Sequence, residues 1–382
     1  MIYLDNNATT RPLPEVTEAV RDLLDREYAN PSSVHPFGQA ARHRAECARG
    51  EVARLIGADP REVVFTSGGT ESINLAVRGL LAQRPGKCHI VTSTVEHSAV
   101  LRLAQQLRRE GHRVDEVGVD HDGRLDLDEL CDRVTADTVL VSLMWANNET
   151  GVLFDVGRVA GIVARHGAAL HLDAVQAAGK VPIDVAAVPV HLLSISAHKF
   201  HGPKGAGALY VRKRTRIRPL IIGGRQERDL RGGTENVPAI VGMGIAAQAA
   251  GRALQDESHE KIRALRDRLE AGILARVSTA AVNGGSAPRI DNTTNIGFAG
   301  VAAEAMLILL GENDVCASSG SACSSGSLEP SHVLAAMNVP EQQAHGSIRF
   351  SLSRFTTPAQ IDQVIELVPR LVDRLASTGP GS

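Results

Sequence analysis

Short apolar runs that end in polar or glycine-rich turns recur along this chain, separated by stretches whose apolar residues return every three or four positions. Residues 62–66, 88–93, 113–119, 138–144, 167–173, 190–196 and 207–211 read as strands, most of them buried and closed by a turn. Helical periodicity covers 13–28, 38–57, 73–81, 98–109 and 156–166, and Gly57 is a stop signal for the second of these. Strands alternating with helices predict an α/β fold with an open sheet, where ligands bind at the carboxyl ends of the strands. Residues 237–276 are strongly helical, and the charged segment Asp256–Lys261 marks a change of domain. Beyond it, 295–298, 302–310, 347–352 and 358–375 alternate strand and helix, as a smaller α+β unit would. The expected organisation is an N-terminal arm over 1–14, a large domain over 15–257 and a small C-terminal domain over 258–382.

Two strand ends carry candidate chemistry. The run 190–196 ends in Ser196-Ala197-His198-Lys199, followed by a Gly-Pro turn. A lysine at the tip of a buried strand is costly unless it escapes to solvent, is paired, or is used covalently. A desolvated lysine has a lowered pKa and is a nucleophilic amine suited to a Schiff base. The run before it ends in His171-Leu172-Asp173-Ala174-Val175-Gln176. Pyridoxal phosphate needs a lysine for its aldehyde and a carboxylate opposite its ring nitrogen. Asp173 can be that carboxylate, and Gln176, a turn further on, can reach the ring's phenolic oxygen. After strand 62–66 comes Ser67-Gly68-Gly69-Thr70, which opens a helix whose N-terminus is suited to a phosphate. An ordinary capped helix is the plainer reading, but with Lys199 and Asp173 present, Gly69 and Thr70 are assigned to phosphate. His97 lies at the end of another strand, where a histidine can stack on a flat ring and shuttle protons.

Composition narrows the classes. The 382 residues carry a formal net charge of −2, which gives no basic footprint for direct nucleic-acid binding. The cations of 212–218 read as a solvated face. No apolar run approaches the roughly 20 residues of a membrane span, and the first residues lack the pattern of a signal peptide. A cytoplasmic protein is expected. The five cysteines are odd in number and have no Cys-x-x-Cys spacing, which disfavours a disulfide framework and a tetrahedral metal site. One reactive cysteine is the remaining option. Cys323 sits in Ser319-Gly320-Ser321-Ala322-Cys323-Ser324-Ser325-Gly326-Ser327, a polar stretch where a usually buried residue needs a reason. Cys316, beside Val315, reads as a buried structural thiol.

Together these stretches resemble the cysteine desulfurases, pyridoxal-phosphate enzymes of the class V aminotransferase family and of fold type I. The resemblance rests on His-Leu-Asp-Ala-Val-Gln, Ala-His-Lys-Phe-His-Gly-Pro-Lys-Gly, Met-Trp-Ala-Asn-Asn-Glu-Thr-Gly and Ser-Ser-Gly-Ser-Ala-Cys-Ser-Ser-Gly-Ser-Leu-Glu-Pro-Ser-His. It covers nearly the whole chain and leans to the long-loop, nitrogen-fixation branch. It implies a large, mostly parallel sheet domain and a smaller α+β domain carrying Cys323. It implies that Gly69, Thr70, His97, Asn148, Asp173, Gln176, Ser196, His198 and Lys199 bind the cofactor. Thr234 would reach the phosphate of a neighbouring subunit's cofactor in a homodimer. Lys199, His97 and Cys323 would be catalytic, and Arg349 with Asn148 would bind the substrate, with Arg354 competing for the carboxylate. No metal is implied beyond a possible iron–sulfur contact at Cys323. The expected reaction converts L-cysteine to L-alanine and leaves a persulfide on Cys323 for a sulfur-acceptor protein. Iron–sulfur assembly, tRNA thiolation and DNA phosphorothioation are all open as destinations. An aminotransferase or another lyase such as selenocysteine lyase would need Lys199 and Asp173 without Cys323. A non-catalytic scaffold would need none of them. Two departures stand out: Ala197 where the family usually has glycine, and an end at Ser382 without the C-terminal extension through which housekeeping members dock a scaffold partner.

Overall fold

The computed structural model describes residues 1–319 and 331–377. In chain order its strands are β1 (Ile2–Tyr3), β2 (Val63–Thr66), β3 (His89–Ser93), β4 (Arg113–Val117), β5 (Thr138–Met144), β6 (Ala169–Asp173), β7 (Leu192–Ser196), β8 (Gly207–Val211), β9 (Ala280–Val282), β10 (Thr293–Phe298), β11 (Val315–Cys316) and β12 (Ser347–Ser351). Seven of them form one sheet in the order β2-β8-β7-β6-β5-β3-β4. Every pairing from β7 to β4 is parallel, and β8 alone runs against both its neighbours. The fold is therefore the mostly parallel α/β arrangement expected. Strands such as β2, β7 and β8 are buried along their whole length, as continuous apolar runs covered on both faces require.

A second sheet has the order β12-β10-β9 and is antiparallel, while β1 pairs in parallel with β11. Its apolar cluster joins Ile2 and Leu4 of the arm to Leu269, Phe298, Phe350 and Val364. Asp5 also bridges Ser351, so the arm continues along β12.

Local chemistry sets the boundaries that matter for the site. The helix expected to start at residue 73 starts at Gly69 and runs to Leu81. The Glu71 carboxylate accepts from the backbone N–H of Ser67 at 2.8 Å, and the Thr66 hydroxyl donates to the Gly68 carbonyl at 3.1 Å. These bonds close the turn early, which puts Gly69 and Thr70 inside the first helical turn. The helical stretch 237–276 is two helices, Val237–Ala253 and Ser258–Leu274, bent by 78°. Just before the second, the Asp256 carboxylate accepts from the N–H of Ser258 at 2.8 Å. No single described helix is long and apolar enough to cross a membrane.

His35 is exposed, and its Nδ1 accepts from the N–H of Gly38 and caps the helix Pro36–Leu55. One smaller expectation changes. Cys316 is half-buried rather than buried, because it closes a two-stranded pair with one side open.

Candidate active site

The carboxyl ends of five strands converge on a cavity of about 380 Å³. After β2 come Gly69 and Thr70, after β3 His97, after β5 Asn148, after β6 Asp173 and Gln176, and after β7 His198 and Lys199, with Ser196 as its last residue. All of these line the cavity, and so does Arg349 from β12. A Cβ on Gly207 would lie 2.6 Å from the Gly68 Cα, so only glycine at the start of β8 lets the turn before the helix pack this closely.

Each strand-end side chain is aimed by a neighbour. His97 caps the helix Ser98–Arg109, its Nδ1 accepting from the N–H of Ala99 at 3.1 Å. In the neutral ring the proton therefore sits on Nε2. The Asp173 carboxylate accepts from the N–H of Val175 at 3.0 Å. Burial pushes its pKa up, against the pull of that hydrogen bond and of nearby His97 and Lys199. Burial, with Lys199 beside it, lowers His198 to about 4, so its ring is neutral. Lys199 donates from Nζ to the backbone carbonyls of Asn7 at 2.5 Å and Ala8 at 3.0 Å.

The facing wall comes from the arm and the smaller sheet. Arg349 is 2% exposed; its Nη2 donates to Asp5 Oδ1 at 2.7 Å and its Nη1 to the Asn148 carbonyl at 3.0 Å. Asn7 donates from Nδ2 to that same carbonyl at 3.1 Å and to the Thr293 hydroxyl at 2.8 Å. Asn7 and Ala8, from the polar cluster that ends the arm, also line the cavity. Two buried acids below the rim are further residues that sequence reasoning misses. Glu96 Oε1 accepts from the Ser93 hydroxyl at 2.6 Å and the Met144 N–H at 2.9 Å, and burial pushes its pKa up to about 8. Glu149 is raised by burial and accepts from the Ser331 hydroxyl.

Three further positions stand out in the sequence: Thr234, Arg354 and Cys323. Thr234 is exposed and does not line the cavity. Its loop is anchored by Glu227, whose two carboxylate oxygens accept from Arg49 at 2.8 Å each, within a turn where Glu227, Arg228 and Asp229 all have positive φ. Arg354 is exposed and faces a separate small cavity with His259. Cys323 falls outside the described residues. The residues on either side of its segment are tied beside the cavity: Ser318 exchanges backbone hydrogen bonds with Arg349, and His332 Nε2 pairs with the Glu96 carbonyl at 2.9 Å.

The cavity can be tested for a phosphate-bearing aldehyde cofactor. Ser196 Oγ is buried with no partner among the described residues, at the phosphate end beside Gly69 and Thr70. A helix N-terminus supplies N–H donors there. Asp173 is a buried carboxylate in want of a cation, which a protonated ring nitrogen would be, and Lys199 is the primary amine. The donor set fits pyridoxal phosphate.

Residues 2–364 match the family described as aminotransferase class-V, and the chain belongs to that family, whose enzymes depend on pyridoxal phosphate. Within it, the chain is 52% identical over 380 residues to a cysteine desulfurase of Trichormus azollae, covering all of this chain and 95% of that one. A solved structure described as a NifS-like protein superposes with a TM-score of 0.91 at 37% identity, covering 98% of this chain and 100% of that one. SspA in complex with cysteine superposes at 0.82 with 32% identity, covering 94% and 100%.

Proposed function

We infer that the chain is a pyridoxal-phosphate-dependent cysteine desulfurase, which takes the sulfur of L-cysteine and leaves L-alanine. The observation that carries this reading is one cavity holding Lys199, the buried Asp173 and the orphaned Ser196 hydroxyl. Full-length relatives named for that activity support it. Bound pyridoxal phosphate supplies an electron sink beside the substrate's α-carbon. Gly69, Thr70, Ser196 and His198 would hold the phosphate, Asp173 would keep a proton on the ring nitrogen, and Gln176 would donate to the phenolic oxygen. His97 would move a proton at Nε2. Lys199 would supply the amine for the aldehyde and move the α-proton. Arg349 grips the substrate carboxylate with two N–H groups, beside Asn148. The Cys323 thiolate attacks the substrate sulfur: an S–S bond forms, the carbon–sulfur bond breaks, and its electron pair stays with the carbon fragment, which is protonated to alanine. The tethering of Ser318 and Ser331 beside the cavity supports this role for the segment between them.

The same reading makes the protein a cytoplasmic homodimer, with an arm over 1–14, a cofactor-binding unit over 15–257 and a C-terminal unit over 258–382. Thr234 reaches the neighbouring subunit's cofactor phosphate, which its exposed, firmly anchored loop suits. An acceptor protein takes the sulfur from Cys323.

The deciding experiment is alanine release from L-cysteine by Cys323→Ser, with mass spectrometry for a sulfur adduct on the Cys323 peptide of the parent. Release should fall to background while the near-visible colour of the bound cofactor stays. Near-normal release would replace this reading with a general lyase.

A further inference from the structure

Lys180 lies four residues beyond Gln176 and is 9% exposed. Its Nζ donates to Gln176 Oε1 at 2.6 Å and to Asn7 Oδ1 at 3.1 Å. Both bonded partners are neutral amides. The charged and titratable groups that face it are Lys199, His198 and Arg349 on the cavity side, and His201, His259 and Arg354 around a pocket of about 40 Å³ behind it. Burial, with Lys199 and Arg349 nearby, puts its pKa well below the usual lysine range. An amine in such a place is costly, and an aliphatic side chain of the same length would fill the space without that penalty. The penalty points to a task.

The hydrogen bonds say which one. Gln176 is 5% exposed, and its Nε2 donates to the Asn7 carbonyl at 2.9 Å. An amide has an acceptor end and a donor end, and the surroundings decide which way it points. The flipped orientation would set the amide oxygen against the Asn7 carbonyl, two acceptors face to face, and would lose the bond that Lys180 donates to Oε1. The Nε2 end is thereby held in place, with one hydrogen on the Asn7 carbonyl and the second left for the cavity. Both lysines grip Asn7: its side-chain oxygen accepts from Lys180 and its carbonyl from Lys199 at 2.5 Å. One arm residue thus sets the spacing of both lysines and the glutamine.

We propose that Lys180 is a positioning residue of the reaction, which acts through Gln176 and Asn7 to hold a hydrogen-bond donor against the phenolic oxygen of bound pyridoxal phosphate. This rests on the cofactor reading given above. A fixed donor favours the anionic form of that oxygen and so tunes how tightly the neighbouring nitrogen holds its proton.

The test is a pH titration of the near-visible absorbance of the holoenzyme without substrate, a readout separate from turnover. Lys180→Met keeps the length and removes the donor. Its apparent pKa should rise by about one unit, a tenfold change in proton affinity. Gln176→Ala should shift it in the same direction, and the double variant should shift no further than the larger single change, since the two act in series. An unchanged titration in Lys180→Met, or fully additive shifts in the double variant, overturns the proposal. Where Lys180→Met does not take up cofactor, Lys180→Leu is titrated in its place: a rise of the same size supports the proposal, and an unchanged titration overturns it. A colourless parent protein would instead defeat the cofactor reading itself, so the two failures are told apart.

Discussion

On the cavity wall made by the strand ends, two side chains are set by residues close to them in sequence, while Lys199 and Gln176 reach across to the arm; the wall facing it is tied together across the length of the chain. Asp173 and His97 are each aimed by an N–H two residues further on. Arg349, by contrast, is held by Asp5, 344 residues away, and Asn7 by Thr293, 286 residues away. In the reading proposed above, the first wall would meet the cofactor and the second the substrate, so a change on the substrate side should spread to more partners.

The largest expected effect tests the first half of that contrast. Lys199→Ala should lower alanine release by at least about 10²–10⁴-fold, the range of a lost acid–base group. Borohydride should no longer fix cofactor mass on the protein, while the melting temperature stays near that of the cofactor-free parent. A large loss of stability would show that the bonds from Lys199 to Asn7 and Ala8 tie this wall to the arm. Next comes Arg349→Ala, which removes the substrate's charge-assisted partner and leaves the half-buried Asp5 unpaired. KM for L-cysteine should rise by about tenfold to a hundredfold, from the 1.5–3 kcal/mol of a hydrogen bond to a charged group. The melting temperature should drop as well, by calorimetry. A pure KM effect at unchanged stability would erase the difference between the walls.

The smallest effect is a pH dependence. The Glu96 carboxyl is pushed from its ordinary 4.5 to about 8 by burial. Between those values the folded protein keeps a proton that the unfolded chain releases, so stability falls as pH rises through the window. Glu96→Gln mimics the protonated acid and keeps the acceptor for Ser93 and Met144. It should raise the melting temperature at pH 8 and lose most of that advantage by pH 5. An advantage equal at both pH values would mean that Glu96 is ionised in the fold.

How much is legible in the sequence follows the same division. Lys199, Asp173, Gln176, His97 and Gly69 stand directly after apolar strand runs, so periodicity alone puts them on one rim of an open sheet. The open α/β sheet follows from the same alternation, though nothing local announces that β8 is reversed. Lys180 follows Ala177-Ala178-Gly179 and looks like any lysine leaving a turn. Its burial depends on Asn7 and on Asn292, whose Nδ2 donates to Asn7 at 3.2 Å. Those partners are remote in sequence, and periodicity carries no information about them. The pairing of Glu149 with Ser331 is hidden for the same reason. Arg349 and Arg354 are five residues apart, and only the packing of β12 separates the one that meets the cavity from the one that meets solvent.

The reversal of β8 gives the molecule a chemical pole and an electrical pole. Gly207 pairs with Ser196 at the reactive rim, and Val211 pairs with Leu192 at the other. The cation-rich run Arg212–Arg218 therefore begins on the far rim, about 13 Å of strand away from the phosphate end. A polyanion drawn to those guanidinium groups would dock on the rim opposite the cavity.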